Sequence, residues 1–132
     1  HAPNDAEETF HTLRSAGFPS VNVDLMFSIP GQPLEAWRRT LEHTLELAPD
    51  HISAYNLNYE EDTEFFERLR KGQYKTDEDR DAEYFHLGLD LLEAAGYEHY
   101  EISNYARPGH RSRHNESYWV GADYLGFGPG AW

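Results

Sequence analysis

A repeated order of segments constrains the fold of this chain most. Three times, a helical pattern ends near Gly or Pro and a short link leads into a strand pattern. This order is typical of parallel strands joined by crossover helices. The sequence therefore predicts an α/β fold, namely part of a TIM-like barrel with about three parallel strands, in residues 1–106. A second segment, residues 107–132, is rich in glycine.

The predicted elements follow from periodicity and from capping residues. Helices are expected over 4–16, 33–48 and 63–70, and a longer one is expected after a Thr76 cap and before Gly96. In the first helix, Asn4 and Glu7 resemble a capping box. Strands are expected over three ranges: 21–29, 51–60 and 97–104.

The first predicted strand alternates strictly between apolar and mainly polar residues, so one of its faces is apolar. The other face carries Asn22, Asp24, Met26 and Ser28. In a barrel, polar residues near the carboxyl ends of the strands form the site. These four residues are therefore placed as a site wall would be.

Charge and composition exclude several classes of protein. Eleven basic residues against 24 acidic ones give a net charge of -13, which disfavours binding to nucleic acid. The chain has no cysteine and no long apolar run, so we expect no disulfides and no transmembrane segment, and a cytoplasmic location. Because the chain starts at His1 and three units cannot close a barrel, we expect missing segments and an open strand edge that could support self-association.

Three carboxylates fall at or near the predicted strand ends: Asp24, Glu60 and Glu101. If they converge on one mouth, two of them could act as an acid and base pair in a hydrolase. Capping or ion pairing is the alternative role for each of them.

The C-terminal segment holds further candidates. His110 and His114 have the i, i+4 spacing of a helical metal site, but Pro108 and Gly109 oppose a helix at that point. The glycines of the G-x-G-x-G run have no following helix to complete a phosphate site, so a tight turn is the alternative; they are Gly126, Gly128 and Gly130.

Flat and polar side chains alternate just before that glycine run. Tyr118 and Trp119 follow closely on Arg113, His114 and Asn115. Such an alternation could accommodate a planar ligand.

Three stretches together resemble one protein family: VNVDLMFSIPGQP (21–33), PDHISAYNLNYEEDT (49–63) and YEISNYARPGHRSRHNESYW (100–119) with GADYLGFGPGA (121–131). The chain is similar to oxygen-independent coproporphyrinogen III oxidases and their heme-chaperone relatives. The resemblance implies an incomplete α/β barrel that uses S-adenosylmethionine and a [4Fe-4S] cluster. A C-x3-C-x2-C loop binds that cluster in the family, and this chain does not contain it.

The resemblance also implies site residues. Asp24, Met26 and Asn58 match positions that line S-adenosylmethionine. The H-N-x-x-Y-W motif, typical of the heme-chaperone branch, implies contacts with heme or a porphyrin from His114, Asn115, Tyr118 and Trp119, with His114 as a possible iron ligand. Ser28 and Ile29 replace the usual Gly-Leu, and Ser112 replaces a frequent cysteine.

Three functions follow from these observations. Heme binding and transfer to an acceptor protein is the preferred one. Oxidative decarboxylation of coproporphyrinogen III to protoporphyrinogen IX is the alternative, and a carboxylate-dependent barrel hydrolase is a remote third. Whether the parent protein is an enzyme stays open, and this chain without a cluster is not expected to perform radical chemistry.

Overall fold

The computed structural model describes residues 3–128, with side chains from residue 5 onward. Within this range the helices are α1 (Pro3–Ser15), α2 (Leu34–Leu47), α3 (Glu64–Arg70), α4 (Glu78–Ala94) and α5 (Arg113–Trp119). The strands are β1 (Asn22–Phe27), β2 (His51–Asn56), β3 (Glu98–His99) and β4 (Asn104–Ala106). The side chain of Asn4 in the predicted capping box and all of Gly130 lie outside the described residues.

The four strands form one open, mixed sheet in the order β1-β2-β4-β3. β1 and β2 are parallel, whereas β4 is antiparallel to both β2 and β3. The α/β class is therefore confirmed, but the sheet is not closed and its assignment to a partial barrel is not confirmed. The division of the chain into residues 1–106 and residues 107–132 stays a prediction.

The predicted third strand, 97–104, is wrong because a turn divides it into β3 and β4. The Glu101 carboxylate accepts a hydrogen bond from the backbone N–H of Ser103 at 2.8 Å and another from the Asn104 side chain. These bonds stabilise the reversal of the chain. As a result β4, rather than a parallel strand, pairs with β2.

The second strand is shorter than predicted, since it ends at Asn56 rather than at residue 60. Its last ladder partner is Phe27, whose carbonyl accepts from the N–H of Leu57 at 3.1 Å. The next residue, Ser28, adopts a left-handed φ of 61°, and the pairing of β1 with β2 ends before it. Asn58 and Glu60 consequently lie in the loop after β2 and not on a strand.

Two further predictions are corrected at helix starts. α4 is capped by Asp77, whose carboxylate accepts from the N–H of Arg80 at 3.0 Å, and not by Thr76. Pro108 and Gly109 disfavour a helix at the start of the C-terminal segment, but Arg113–Trp119, which follows them, is helical. The hydroxyl of Ser112 caps that helix by accepting from the N–H of Asn115 at 3.3 Å.

The core lies between the sheet and the pair of helices α2 and α4. Trp37 and Leu41 of α2, Leu92 of α4, and Ile52 of β2 are fully buried there. Phe27 of β1 contacts the Trp37 ring at 5.4 Å between centroids. The predicted alternation is confirmed over Asn22–Phe27, because Leu25 and Phe27 pack against this core while Asn22, Asp24 and Met26 are exposed on the other face. The opposite face of the sheet is therefore available for a site.

No helix among residues 3–128 is both long enough and apolar enough to cross a membrane.

Candidate functional site

The polar face of the sheet is built by the register of β1 and β2. Asn22 lies beside His51, and Asp24 lies beside Ser53. Because side chains alternate along both strands, these pairs emerge on the side away from α2 and α4. Met26, 48% exposed, continues the same row on β1.

The residues that precede and begin α5 pass over this polar face and enclose a cleft of about 390 Å³. Such a volume lies at the small end of ligand sites. One wall consists of strand residues and the other of the segment around α5. Its lining residues are Ser20, Asn22, Asp24, His51, Ser53, Tyr55, His110, Arg111, Ser112, Arg113 and Asn115.

Hydrogen bonds connect the two walls of the cleft. The Asn22 amide donates to Asp24 Oδ1 at 2.7 Å, and Asn22 Oδ1 lies 2.7 Å from His51 Nδ1. On its other side, His51 Nε2 lies 2.6 Å from the hydroxyl of Tyr100. That hydroxyl also accepts from the backbone N–H of Ser112 at 3.1 Å. Tyr100 therefore joins the sheet to the start of α5.

Burial controls the protonation of the two groups at the centre of this network. It lowers the pKa of His51, although the nearby carboxylates of Asp24 and Glu101 act in the opposite direction. Burial also raises the pKa of Tyr100, and Glu101 and Glu116 add to that effect. Both groups are therefore neutral near pH 7. The neutral His51 ring has one nitrogen that donates and one that accepts, and the Tyr100 hydroxyl keeps its proton.

α5 displays the H-N-x-x-Y-W residues. The His114 ring contacts the Tyr118 ring edge-on at 4.9 Å, one turn away. Within residues 5–128, neither ring nitrogen of His114 has a hydrogen-bond or ion-pair partner. Tyr118 and Trp119 are about half exposed. Asn115, on the same helix, lines the cleft. A free imidazole and two accessible aromatic rings thus share one short helix.

An exposed apolar surface follows α5, and we call it the apolar tail surface. It comprises Val120, Leu125 and Phe127, each at least 80% exposed, together with Tyr124. Tyr124 contacts the Tyr118 ring at 5.2 Å and so links this surface to α5. Exposed apolar groups concentrated in one segment in this way are typical of a binding surface.

The structure brings some of the predicted site residues together and leaves others apart. Asp24 and Asn115 line the same cleft, and Met26 lies two residues farther along the same face. Asn58 is exposed in the loop after β2 and does not line this cleft. The role of each of these residues stays a prediction.

The three carboxylates predicted at one mouth have different surroundings. Asp24 lines the cleft, whereas Glu101 is engaged in the β3–β4 turn. Glu60 lies before α3, where its backbone carbonyl accepts from the hydroxyl of Thr63 at 2.6 Å. Neither of these two glutamates lines the cleft that contains Asp24.

As Pro108 and Gly109 indicated, His110 and His114 do not lie on one helix. His110 precedes the Ser112 cap and lies 3.2 Å from the hydroxyl of Ser20 and 3.8 Å from the carboxylate of Asp50. His114 is on α5. Gly126 and Gly128 lie in an irregular segment after α5, and Gly128 has a left-handed φ of 104°, as expected of a turn glycine.

His51 and Tyr100 belong to this site but are not among the residues that the sequence predicts for it. His51 could have been found by the same alternation that identified Asp24, because His51, Ser53 and Tyr55 are the odd-numbered polar positions of β2. Tyr100 gave no such signal, since its position depends on the unexpected turn between β3 and β4.

The cleft fits a nucleoside better than it fits an iron-sulfur cluster. The exposed Asp24 carboxylate and the Asn115 amide can bind hydroxyl and amino groups, and Tyr55 adds an accessible ring. The chain has no cysteine, and among residues 3–128 no group of three or more His, Asp or Glu side chains could hold a metal ion. These residues therefore form a polar wall with an accessible ring, and the described residues contain no ligand set for a cluster.

Curated relatives match the chain over almost its whole length. It is 36% identical to the heme chaperone HemW of Lactococcus lactis, a match that covers 99% of this chain and 35% of that protein. It is 40% identical to HemW of Escherichia coli, covering 99% and 34%. It is 39% identical to the mitochondrial radical S-adenosyl methionine domain-containing protein 1 of mouse, covering 99% and 30%. The chain spans about a third of the length of these relatives.

A solved structure supports the same relationship. The radical S-adenosylmethionine enzyme coproporphyrinogen III oxidase (HemN) of E. coli matches with a TM-score of 0.65 and 26% identity. The match covers 89% of this chain and 27% of that enzyme. No protein-family model matches the chain.

Proposed function

Since the chain belongs to the family of HemW heme chaperones and their radical S-adenosylmethionine relatives, we propose that it binds heme through α5 for transfer to an acceptor protein. The observation that carries this proposal is the exposed His114, whose ring nitrogens have no partner in the described part of the chain. An unprotonated imidazole nitrogen is a common axial ligand of heme iron.

The surroundings of His114 suit a flat, largely apolar ligand. Tyr118 and Trp119 expose their rings on the same helix, and the apolar tail surface continues beyond them. A porphyrin placed against these rings would remove apolar area from water while His114 reaches its iron. Asn115 would provide a hydrogen bond from the cleft side.

A hemin titration followed in the Soret region tests this proposal. Wild type should bind with a shifted Soret band, and His114→Ala should lose that shift. The matched control is His86→Ala, because His86 is also an exposed helical histidine that meets an aromatic ring, that of Phe85, edge-on. Identical Soret changes in wild type and His114→Ala would contradict the assignment of His114.

We further propose that Asp24, Met26 and Asn58 contact S-adenosylmethionine in the whole protein. Together with a [4Fe-4S] cluster held elsewhere, that cofactor would supply radical chemistry. The residues of this chain would orient it: Asp24 by accepting hydrogen bonds and Met26 by apolar contact. Calorimetric titration should show weaker binding for Asp24→Asn than for Glu60→Gln, the control outside the cleft.

Oxidative decarboxylation of coproporphyrinogen III is a second candidate, supported by the structural likeness to the E. coli oxidase. This function would use the same proposed contacts with S-adenosylmethionine. It differs from heme transfer because the porphyrinogen would be a substrate. Anaerobic product analysis of the whole, cluster-loaded protein distinguishes the two. Formation of protoporphyrinogen IX would favour the oxidase, and its absence in active cofactor-loaded samples would favour heme transfer.

The proposed function includes a cellular location and a possible self-association. We expect a cytoplasmic location, and we expect that the edge of β1 opposite β2 can pair with another strand, including that of a second copy. Light scattering tests the second expectation, since self-association predicts a mass that rises with concentration.

A further inference from the structure

A continuous set of hydrogen bonds runs from the polar face of the sheet to α5, and we call it the polar chain. It starts at the Asp24 carboxylate and reaches the first turn of the helix, with successive contacts between 2.6 and 3.3 Å. In order, its members are Asp24, Asn22, His51, Tyr100, Ser112 and Asn115.

The position of each proton in the polar chain is determined by its neighbours. Asn22 donates its amide to Asp24, so its Oδ1 accepts, both from the Ser53 hydroxyl and from His51 Nδ1–H. A neutral His51 that donates through Nδ1 accepts through Nε2, and the Tyr100 hydroxyl therefore donates to it. The Tyr100 oxygen keeps a lone pair for the N–H of Ser112.

Tyr100 also holds α5 through its ring. The Trp119 ring, on the last residue of α5, lies 6.0 Å from it. The Arg111 guanidinium lies over the same ring at 5.3 Å and is fixed by hydrogen bonds of 3.2 and 3.0 Å to Glu98. One tyrosine thus contacts the residues before the helix and the residue at its end.

We propose that His51 and Tyr100 are positioning residues that fix α5 over the polar face and thereby set the direction in which His114 is presented. A helix of seven residues has little stability of its own, so its placement depends on tertiary contacts. The polar chain supplies those contacts at the N-terminal end of α5. This inference rests on the proposed function, because its readout is heme binding by α5.

The test compares two tyrosines that each lose only a hydroxyl. Tyr100→Phe breaks the polar chain but keeps the ring beside Trp119. The control is Tyr97→Phe, since the Tyr97 hydroxyl donates a buried hydrogen bond of 2.6 Å to the carbonyl of Pro49 and does not contact α5. Both variants should unfold at similar denaturant concentrations, somewhat below wild type.

Only Tyr100→Phe should change heme binding. We expect the Kd for hemin to rise by about two- to tenfold, which corresponds to the loss of one hydrogen bond, with an altered Soret maximum. A wild-type Kd and spectrum in Tyr100→Phe, or an equal loss in Tyr97→Phe, would overturn the inference and leave the proposed function intact. Absence of heme binding in wild type would overturn both.

A double-mutant cycle provides the second measurement. If His51 acts through Tyr100, His51→Ala and Tyr100→Phe should each weaken hemin binding, and the double variant should be little worse than the worse single one. Additive losses would show that His51 acts independently and would overturn its role. The cycle remains informative if each single variant is only mildly destabilised.

Discussion

The indole Nε1 of Trp37 donates a hydrogen bond to the backbone carbonyl of Tyr84 at 3.0 Å, and its ring covers Gly88 one turn later on α4. Trp37 is fully buried, so this contact joins the two helices that cover the sheet. The gap between Gly88 and the indole is wide enough for a Cβ, and the glycine leaves α4 with a flexible residue in its interior.

Replacing that glycine with alanine should stabilise the protein. A Cβ at Gly88 would lie 3.6 Å from Cζ2 and 3.8 Å from Nε1 of Trp37, which are ordinary van der Waals distances. Gly88→Ala should therefore raise the free energy of unfolding by about 0.5–1 kcal/mol, because alanine loses less backbone entropy in a helix. Urea denaturation measures the change. Gly88→Leu should lower it by about 1–3 kcal/mol through overpacking, and a loss with alanine would contradict the contact geometry.

Ser28 combines two unfavourable features, a φ of 61° and a buried hydroxyl with no partner in the described part of the chain. Ser28→Gly should increase the free energy of unfolding by about 1 kcal/mol, because glycine adopts this φ without strain and removes the unpaired group. Ser28→Ala separates the two effects, since it removes the hydroxyl and keeps the strained backbone. A decrease for both variants in chemical denaturation would mean that the hydroxyl has a partner.

His51 should make stability depend on pH below about 6.5. Its pKa is lowered in the folded state, chiefly by burial, so the unfolded chain binds more protons as the pH falls. Its contribution to stability is full above the unfolded pKa of 6.5 and is lost as the pH decreases through the folded pKa. His51→Gln should flatten this slope in denaturation series from pH 7.5 to 5. An unchanged slope would show that another group dominates.

His43 should produce a slope of the opposite sign. Its Nε2 lies 2.6 Å from Glu7 on α1, and this hydrogen bond, with the carboxylate charge, raises the pKa of His43. The contribution is full below pH 6.5 and is lost as the pH rises through the folded pKa. Glu46 raises the same pKa to a smaller extent, so Glu7→Gln should remove most of the slope above pH 6.5 while leaving the slope due to His51 in place. Loss of both slopes in Glu7→Gln would contradict the assignment of the lower slope to His51 and the upper slope to His43.

The sequence predicted local features well because they depend on neighbours along the chain. The alternation in β1 fixes which face carries Asp24 and Met26, since successive strand residues point to opposite sides. Helical periodicity likewise located α2 and α4. The family resemblance predicts His114 and Asn115 as site residues, and only the structure shows that they lie on a helix.

Pairing between distant residues was decided only by the tertiary structure. The insertion of β4 beside β2, and with it the place of Tyr100, depends on hydrogen bonds across about 50 residues, and no local period encodes them. The end of a strand also depends on whether its partner strand continues. β1 ends at Phe27, so β2 ends at Asn56 and Asn58 lies outside it. The sequence by itself determined the faces of the elements and the residues with chemical potential; the tertiary structure decided which of those residues meet, because that depends on contacts between segments far apart in the chain.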